Sequence, residues 1–72
     1  MYHQGNDKMV GQKIARFRKK KGWTQRGLAK ATKLSKSYIA AIEEGKHPGI
    51  KTLAIIAEAL GIEVKELFEG EK

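Results

Sequence analysis

An all-α fold follows from three features of this 72-residue chain. Apolar residues recur at helical spacing, three or four apart, in successive segments. Helix-start residues and glycine stops bracket those segments in turn. Strand-like alternation of apolar and polar residues is absent. The chain is therefore expected to hold one compact five-helix domain over 8–69. A disordered lead over 1–7, with Gly5 and Asn6 as breakers, and a tail over 70–72 flank it.

The first helix fits 8–21. Val10, Ile14 and Phe17 fall on one face, and Gly22 supplies the stop. Arg18, Lys19, Lys20 and Lys21 occupy its last turn. Cations there suit the negative end of the helix dipole, and contact with an anionic partner explains them equally well.

The second helix fits 24–32. Thr24 is the N-cap, its hydroxyl placed to accept from a free N–H of the first turn. Trp23 before it and Leu28 within it stand at the positions of a hydrophobic staple. Gly27 is a local weakness, worth up to ~1 kcal/mol relative to alanine in a helix interior.

The same grammar returns at the third helix, 36–44. Ser35 is the N-cap, Leu34 and Ile39 form the staple pair, and Gly45 is the stop. Ile39 and Ile42 face inward. So short a turn between two short helices makes them cross steeply, at roughly 90–120°. After a loop of Lys46, His47, Pro48 and Gly49, a fourth helix fits 50–60. It buries Leu53, Ile56, Ala57 and Leu60 and stops at Gly61. A short fifth helix fits 64–68, with Leu67 and Phe68 packing back.

A domain this small buries only about 60% of the surface that its unfolded chain exposes. With no cysteine, neither a disulfide nor a thiolate–zinc site staples it. No apolar run approaches the roughly 20 residues that span a bilayer. No apolar export signal opens the chain, and with the missing cysteines this fits a cytoplasmic protein.

The net charge of +7 is unevenly spread. Residues 1–42 carry eleven Lys/Arg against one acid, Asp7, whereas residues 43–72 carry four against seven acids. A polyanion would offset the self-repulsion of the first part. Nucleic acid is the first candidate and an anionic membrane the second.

The segment TQRGLAKATKLSKSYIAAIE, residues 24–43, resembles the helix-turn-helix of the phage-repressor and Cro-like (XRE) family. IARFRKKKGWTQ is similar to that family's first helix, and GIKTLAIIAEALGIEVKELF to its fourth and fifth. Together they cover about 9–68. Ala29 stands where the two helices of the motif come closest, and Ile39 and Ile42 pin the third helix to the others. The chain departs from the family at two points. Lys33 takes the turn position, usually glycine because φ there is often positive, and Gly27 stands where a glutamate often completes a capping box.

The resemblance implies a repressor-like domain that binds double-stranded DNA with the third helix in the major groove. Lys36, Ser37, Tyr38, Ala40 and Ala41 are its candidate base contacts. Lys36 can donate to guanine, Ser37 can donate or accept, and the alanines allow close approach, with a methyl free to touch thymine. Tyr38 reads either as a phosphate or sugar contact or as a half-buried aromatic. Thr24, Gln25, Arg26, Lys46 and Lys51 are candidate phosphate contacts, which position without reading sequence. Gln25 could equally be solvated. Glu43 is expected to pair with Arg18 and fix the first helix against the third, a structural role in preference to a DNA contact.

A two-fold dimer would read two half-sites ~34 Å apart on a palindromic operator. Ile55 and Val64 are apolar at positions placed toward solvent, and with Ile62, which also suits the core, they are the candidate dimer interface. An enzyme does not fit. His3 and His47 are the imidazoles of a chain without cysteine, His47 has no Asp beside it in sequence, and Ser35 is accounted for as a cap. No cofactor, metal or small-molecule effector is expected. The rival reading is a protein-binding antitoxin or adaptor on the same fold. RNA is third, because duplex RNA's narrow major groove excludes a helix.

Overall fold

A computed structural model describes the backbone of residues 3–68 and the side chains from Met9 onward. Four α-helices follow one another: α1 His3–Lys20, α2 Gln25–Thr32, α3 Lys36–Glu43 and α4 Ile50–Leu60. A 3-10 helix, Val64–Leu67, closes the series, and no strand occurs among the described residues. The all-α expectation holds, with the fifth helix tightened to a single 3-10 turn.

α1 begins at His3, ahead of the start at Lys8 read from the sequence. Gly5 and Asn6 lower helix propensity without preventing helix, and a turn added to an existing helix avoids the cost of nucleation. Met1 and Tyr2, like the tail over 70–72, lie outside the described residues.

All four α-helices end in one and the same way. A residue one or two places past the end has a positive φ, and two backbone N–H groups return to the last turn. Trp23 N–H donates to Arg18 O (3.1 Å) and Gly22 N–H to Lys19 O (2.9 Å). The pattern recurs with Leu34 to Ala29 O (3.1 Å), Lys46 to Ala41 O (2.9 Å) and Ile62 to Ala57 O (3.0 Å). This is the Schellman arrangement, which satisfies carbonyls that the helix leaves open. Its left-handed position is filled by Gly22, Gly45 and Gly61, but after α2 by Lys33, at φ 63°. Lys33 is the non-glycine residue of positive φ among those described, and it sits in the turn that joins α2 to α3.

The core gathers Val10 and Ile14 of α1, Leu28 and Ala29 of α2, Ile39 and Ile42 of α3, and Leu53, Ile56, Ala57 and Leu60 of α4, with Leu67. Trp23 and Leu34, the two staple residues, pack on its edge. Six large side chains in the cluster are fully buried, which decides where stability resides. At ~1.5–3 kcal/mol for each, their burial outweighs any cap or surface pair.

The last turn corrects two expectations. Phe68 does not pack back; it is 49% exposed. Val64, expected toward solvent, is half-buried against the core, as is Ile62. The 3-10 period explains the change. Residues three apart eclipse one another, so Val64 shares the edge of the buried Leu67, and the next residue, Phe68, turns away.

Candidate nucleic-acid interface

α2, its three-residue turn and α3 form the unit that the sequence singled out. Thr24 caps α2, its hydroxyl accepting from the Gly27 N–H at 3.0 Å. Ser35 caps α3, accepting from the Tyr38 N–H at 3.0 Å. Each cap satisfies one of the four N–H groups that a helix start leaves open, and the side chains stay exposed.

Lys36 and Ser37 stand exposed on the first turn of α3. Ala40 and Ala41 are half-buried one turn later, so this face of the helix is lined by short side chains. Tyr38 is half-buried and packs on the edge of the core, with its ring beneath the Lys46 ammonium at 5.9 Å. That contact brings Lys46, from the loop after α3, back beside the first turn of α3. Arg26 and Lys51 are exposed in the first turns of α2 and α4. Lys20 and Lys21, near the end of α1, fold over the Phe17 and Trp23 rings at 6.0 and 5.1 Å.

At the opposite end of α3 the structure builds a closed network. The Arg18 guanidinium grips Glu43 with two donors, Nε to Oε2 at 2.7 Å and a terminal nitrogen to Oε1 at 3.0 Å. Its other terminal nitrogen donates to the Trp23 carbonyl at 2.8 Å. The Gln25 side-chain amide donates to Glu43 Oε1 at 3.0 Å. The Arg18 and Glu43 side chains are only 9% and 7% exposed, so this is a buried pair and not a surface bridge. The Glu43 hydrogen bond raises the Arg18 pKa further above arginine's ordinary value, against the effect of burial, so the guanidinium stays charged. No buried side-chain polar atom among the described residues lacks a partner.

The expected pairing of Arg18 with Glu43 is thus present, between α1 and α3. Gln25, read as a phosphate contact or a solvated side chain, instead lends one amide N–H to Glu43. A side-chain amide carries a second N–H, which this bond does not use. The sequence reading missed this third member, because Gln25 and Glu43 lie on different helices and no spacing rule joins them. It also missed Gly11, which is buried in the middle of α1. An isolated glycine in a helical stretch was the available signal, since it usually has a packing reason.

Of the three residues read as an interface, Ile55 on α4 is open, at 44% exposure. Ile50 and Phe68 are the other large apolar side chains exposed among the described residues. No group of histidine, cysteine and acidic residues able to hold a metal occurs there, and no helix is long and apolar enough to cross a membrane.

Comparison with known proteins gives one consistent family. A family model described as helix-turn-helix matches residues 14–67. The immunity repressor protein of Bacillus phage phi105 is 44% identical over 63 residues, spanning 86% of this chain and 44% of its own length. The HTH-type transcriptional regulator SlrR of Bacillus subtilis (strain 168) is 38% identical over 65 residues, spanning 88% of this chain and 43% of its own. The chain therefore spans less than half the length of these two relatives. Among solved structures, the crystal structure of SinR, a master regulator for biofilm formation, in complex with DNA superposes with a TM-score of 0.79. It is 32% identical and covers 83% of this chain and 98% of that one.

Proposed function

The chain belongs to the helix-turn-helix family of the XRE type, and from that membership we propose that it binds double-stranded DNA in a sequence-specific manner as a transcriptional regulator. One observation carries the proposal. α3 starts with Lys36 and Ser37 exposed and capped by Ser35, while Ile39, Ile42 and its last turn are anchored in the domain. A helix held in this way can enter a major groove by the end that is free.

Within this reading, Lys36, Ser37, Tyr38, Ala40 and Ala41 meet base edges. Thr24, Gln25, Arg26, Lys46 and Lys51 meet phosphates. Gln25 does so through the amide N–H that Glu43 leaves over. The protein is read as a binding protein and not an enzyme, acting in the cytoplasm, where the DNA is.

We infer further that it acts as a two-fold dimer on a palindromic operator. Ile55 is the exposed apolar centre of the interface, with the half-buried Ile62 and Val64 at its edge. Exposed apolar area of this kind, beside an acidic second half, supports the assignment. Sedimentation of the free protein at high micromolar concentration is expected to show a dimer that Ile55→Lys converts to monomer. A wild-type monomer under those conditions would remove the assignment.

Selection from a random duplex library at two salt concentrations tests the main reading. Enrichment of a short palindrome is expected, with affinity falling steeply as salt rises because bound lysines and arginines release counterions. Salt-sensitive binding with no enriched sequence would overturn sequence-specific regulation and turn the search to a protein partner.

A further inference from the structure

We propose that Gly11 is a positioning residue for base readout: by letting α1 touch the last carbonyls of α3, it sets the depth at which α3 is presented. The inference rests on the DNA-binding reading above.

Gly11 is buried in α1, and the atoms facing it are backbone. A methyl group built on it would stand 2.3 Å from the Ile42 carbonyl oxygen and 2.9 Å from that of Glu43. Carbon–oxygen contacts of this type run at about 3.3–3.6 Å. An alanine would therefore force α1 and the end of α3 apart by on the order of 1 Å. Neither oxygen can step aside alone. Ile42 O accepts from the Gly45 N–H at 3.0 Å, and Ile42 itself is buried. Glu43 is held by Arg18 and Gln25 through its side chain. The two helices must therefore separate as bodies, and α3 shifts against the rest of the domain by its share of the movement.

The contrast with Gly27 shows that the constraint is local. A methyl at Gly27 meets its nearest atom, the Thr24 hydroxyl oxygen, at 3.5 Å, which is ordinary contact.

A shift of that size divides the two kinds of DNA contact. Lysine at 36, 46 and 51 has a flexible four-carbon stem that can follow a phosphate over an ångström. The serine at 37 and the alanine methyls at 40 and 41 cannot, and a readout site tolerates only about 0.5 Å of misplacement. Gly11→Ala should therefore remove discrimination between sequences while leaving non-specific, salt-dependent binding nearly unchanged. A loss of stability alone would lower both together.

The test uses the full chain in a Lys33→Gly background, which relieves a strained turn and offsets part of the variant's loss of stability, with Lys33→Gly alone as reference and Gly11→Ser, a second side chain at the same place, measured beside it. Affinity is measured for the selected operator and for a scrambled duplex. Amide resonances of α3 and α4 are recorded on the free protein. At least a tenfold fall in the operator-to-scrambled ratio is expected, with resonance shifts concentrated in α3. A folded variant that keeps the reference ratio, or whose α3 resonances do not move, overturns the proposal. If the reference itself shows no sequence preference, the DNA reading fails instead, and the resonances alone decide whether Gly11 positions α3.

Discussion

The two ends of α3 are held in opposite ways. Its first two residues, Lys36 and Ser37, are exposed behind a neutral cap, Ser35 to the Tyr38 N–H, and Ile39 alone of that turn is fully buried. Its last turn is buried against α1, held by a two-donor ion pair, and approached so closely that only glycine fits at position 11. A reading end must be bare, because base edges have to reach it. Bare residues gain little from packing, so their order has to come from the buried side of the helix, Ile39 and Ile42, and from its anchored last turn. The reading residues then inherit part of their position from contacts made up to about two turns away.

That contrast can be broken at the anchored end first. Arg18→Ala leaves the Glu43 carboxylate buried without its cation, which can cost ~3–5 kcal/mol. In a domain of this size, thermal melting should fall by roughly 4–8 °C for each kcal/mol. Binding would be lost with it, through the fold and not through a lost contact. Intact DNA affinity together with an unchanged melting temperature would show that the pair does not anchor α3. Because the folded-state pKa of Arg18 is raised, the guanidinium's contribution is lost only as pH rises through that value, above arginine's ordinary range. No pH dependence near neutrality should arise from the guanidinium.

At the exposed end the effect should move from stability to binding. Lys36→Ala is expected to cost ~1–3 kcal/mol of operator affinity if the lysine reads a guanine. Its stability should stay within the ±0.5 kcal/mol typical of surface changes. Titration of both proteins against the selected duplex checks this, and equal affinities would take Lys36 out of the readout.

Ser35→Ala lies between the two cases. Loss of the cap should cost about 1 kcal/mol of stability, with a small fall in affinity because the first turn of α3 frays. Circular dichroism melts of the two proteins decide it. The smallest change is expected at Lys33. A left-handed conformation costs an L-residue roughly 1–2 kcal/mol, and glycine returns part of that gain through its freer unfolded chain. Lys33→Gly should therefore stabilise by up to about 1 kcal/mol, seen as a higher denaturant midpoint with unchanged slope.

Much of this architecture was legible from local rules. Thr24 and Ser35 announced two helix starts, and Gly22, Gly45 and Gly61 announced three ends. The resemblance to the family pattern put Lys33 at a turn position that takes positive φ. The inward faces of α3 and α4 followed from spacing. The partner of Glu43 was found through the family resemblance; a carboxylate in a basic segment suggests a pair but does not name the cation. The second grip on Glu43, by Gln25, was not legible. Neither was the orientation of the last turn, where a 3-10 period in place of 3.6 sent Val64 inward and Phe68 outward.

The sequence by itself determined α2, α3 and α4, the caps of α2 and α3, the glycine stops, and the apolar residues that α1 to α4 send to the core. Each of these depends on residues within about one turn of one another, so spacing alone carries the information. Only the tertiary structure decided how deeply α1 seats on α3, which amide completes the Glu43 network, and which way the final turn rolls. Those depend on distances between atoms far apart in the chain. Gly11 marks the limit: its place in the sequence says that no side chain is present, and only the carbonyl oxygens packed against it say why none can be.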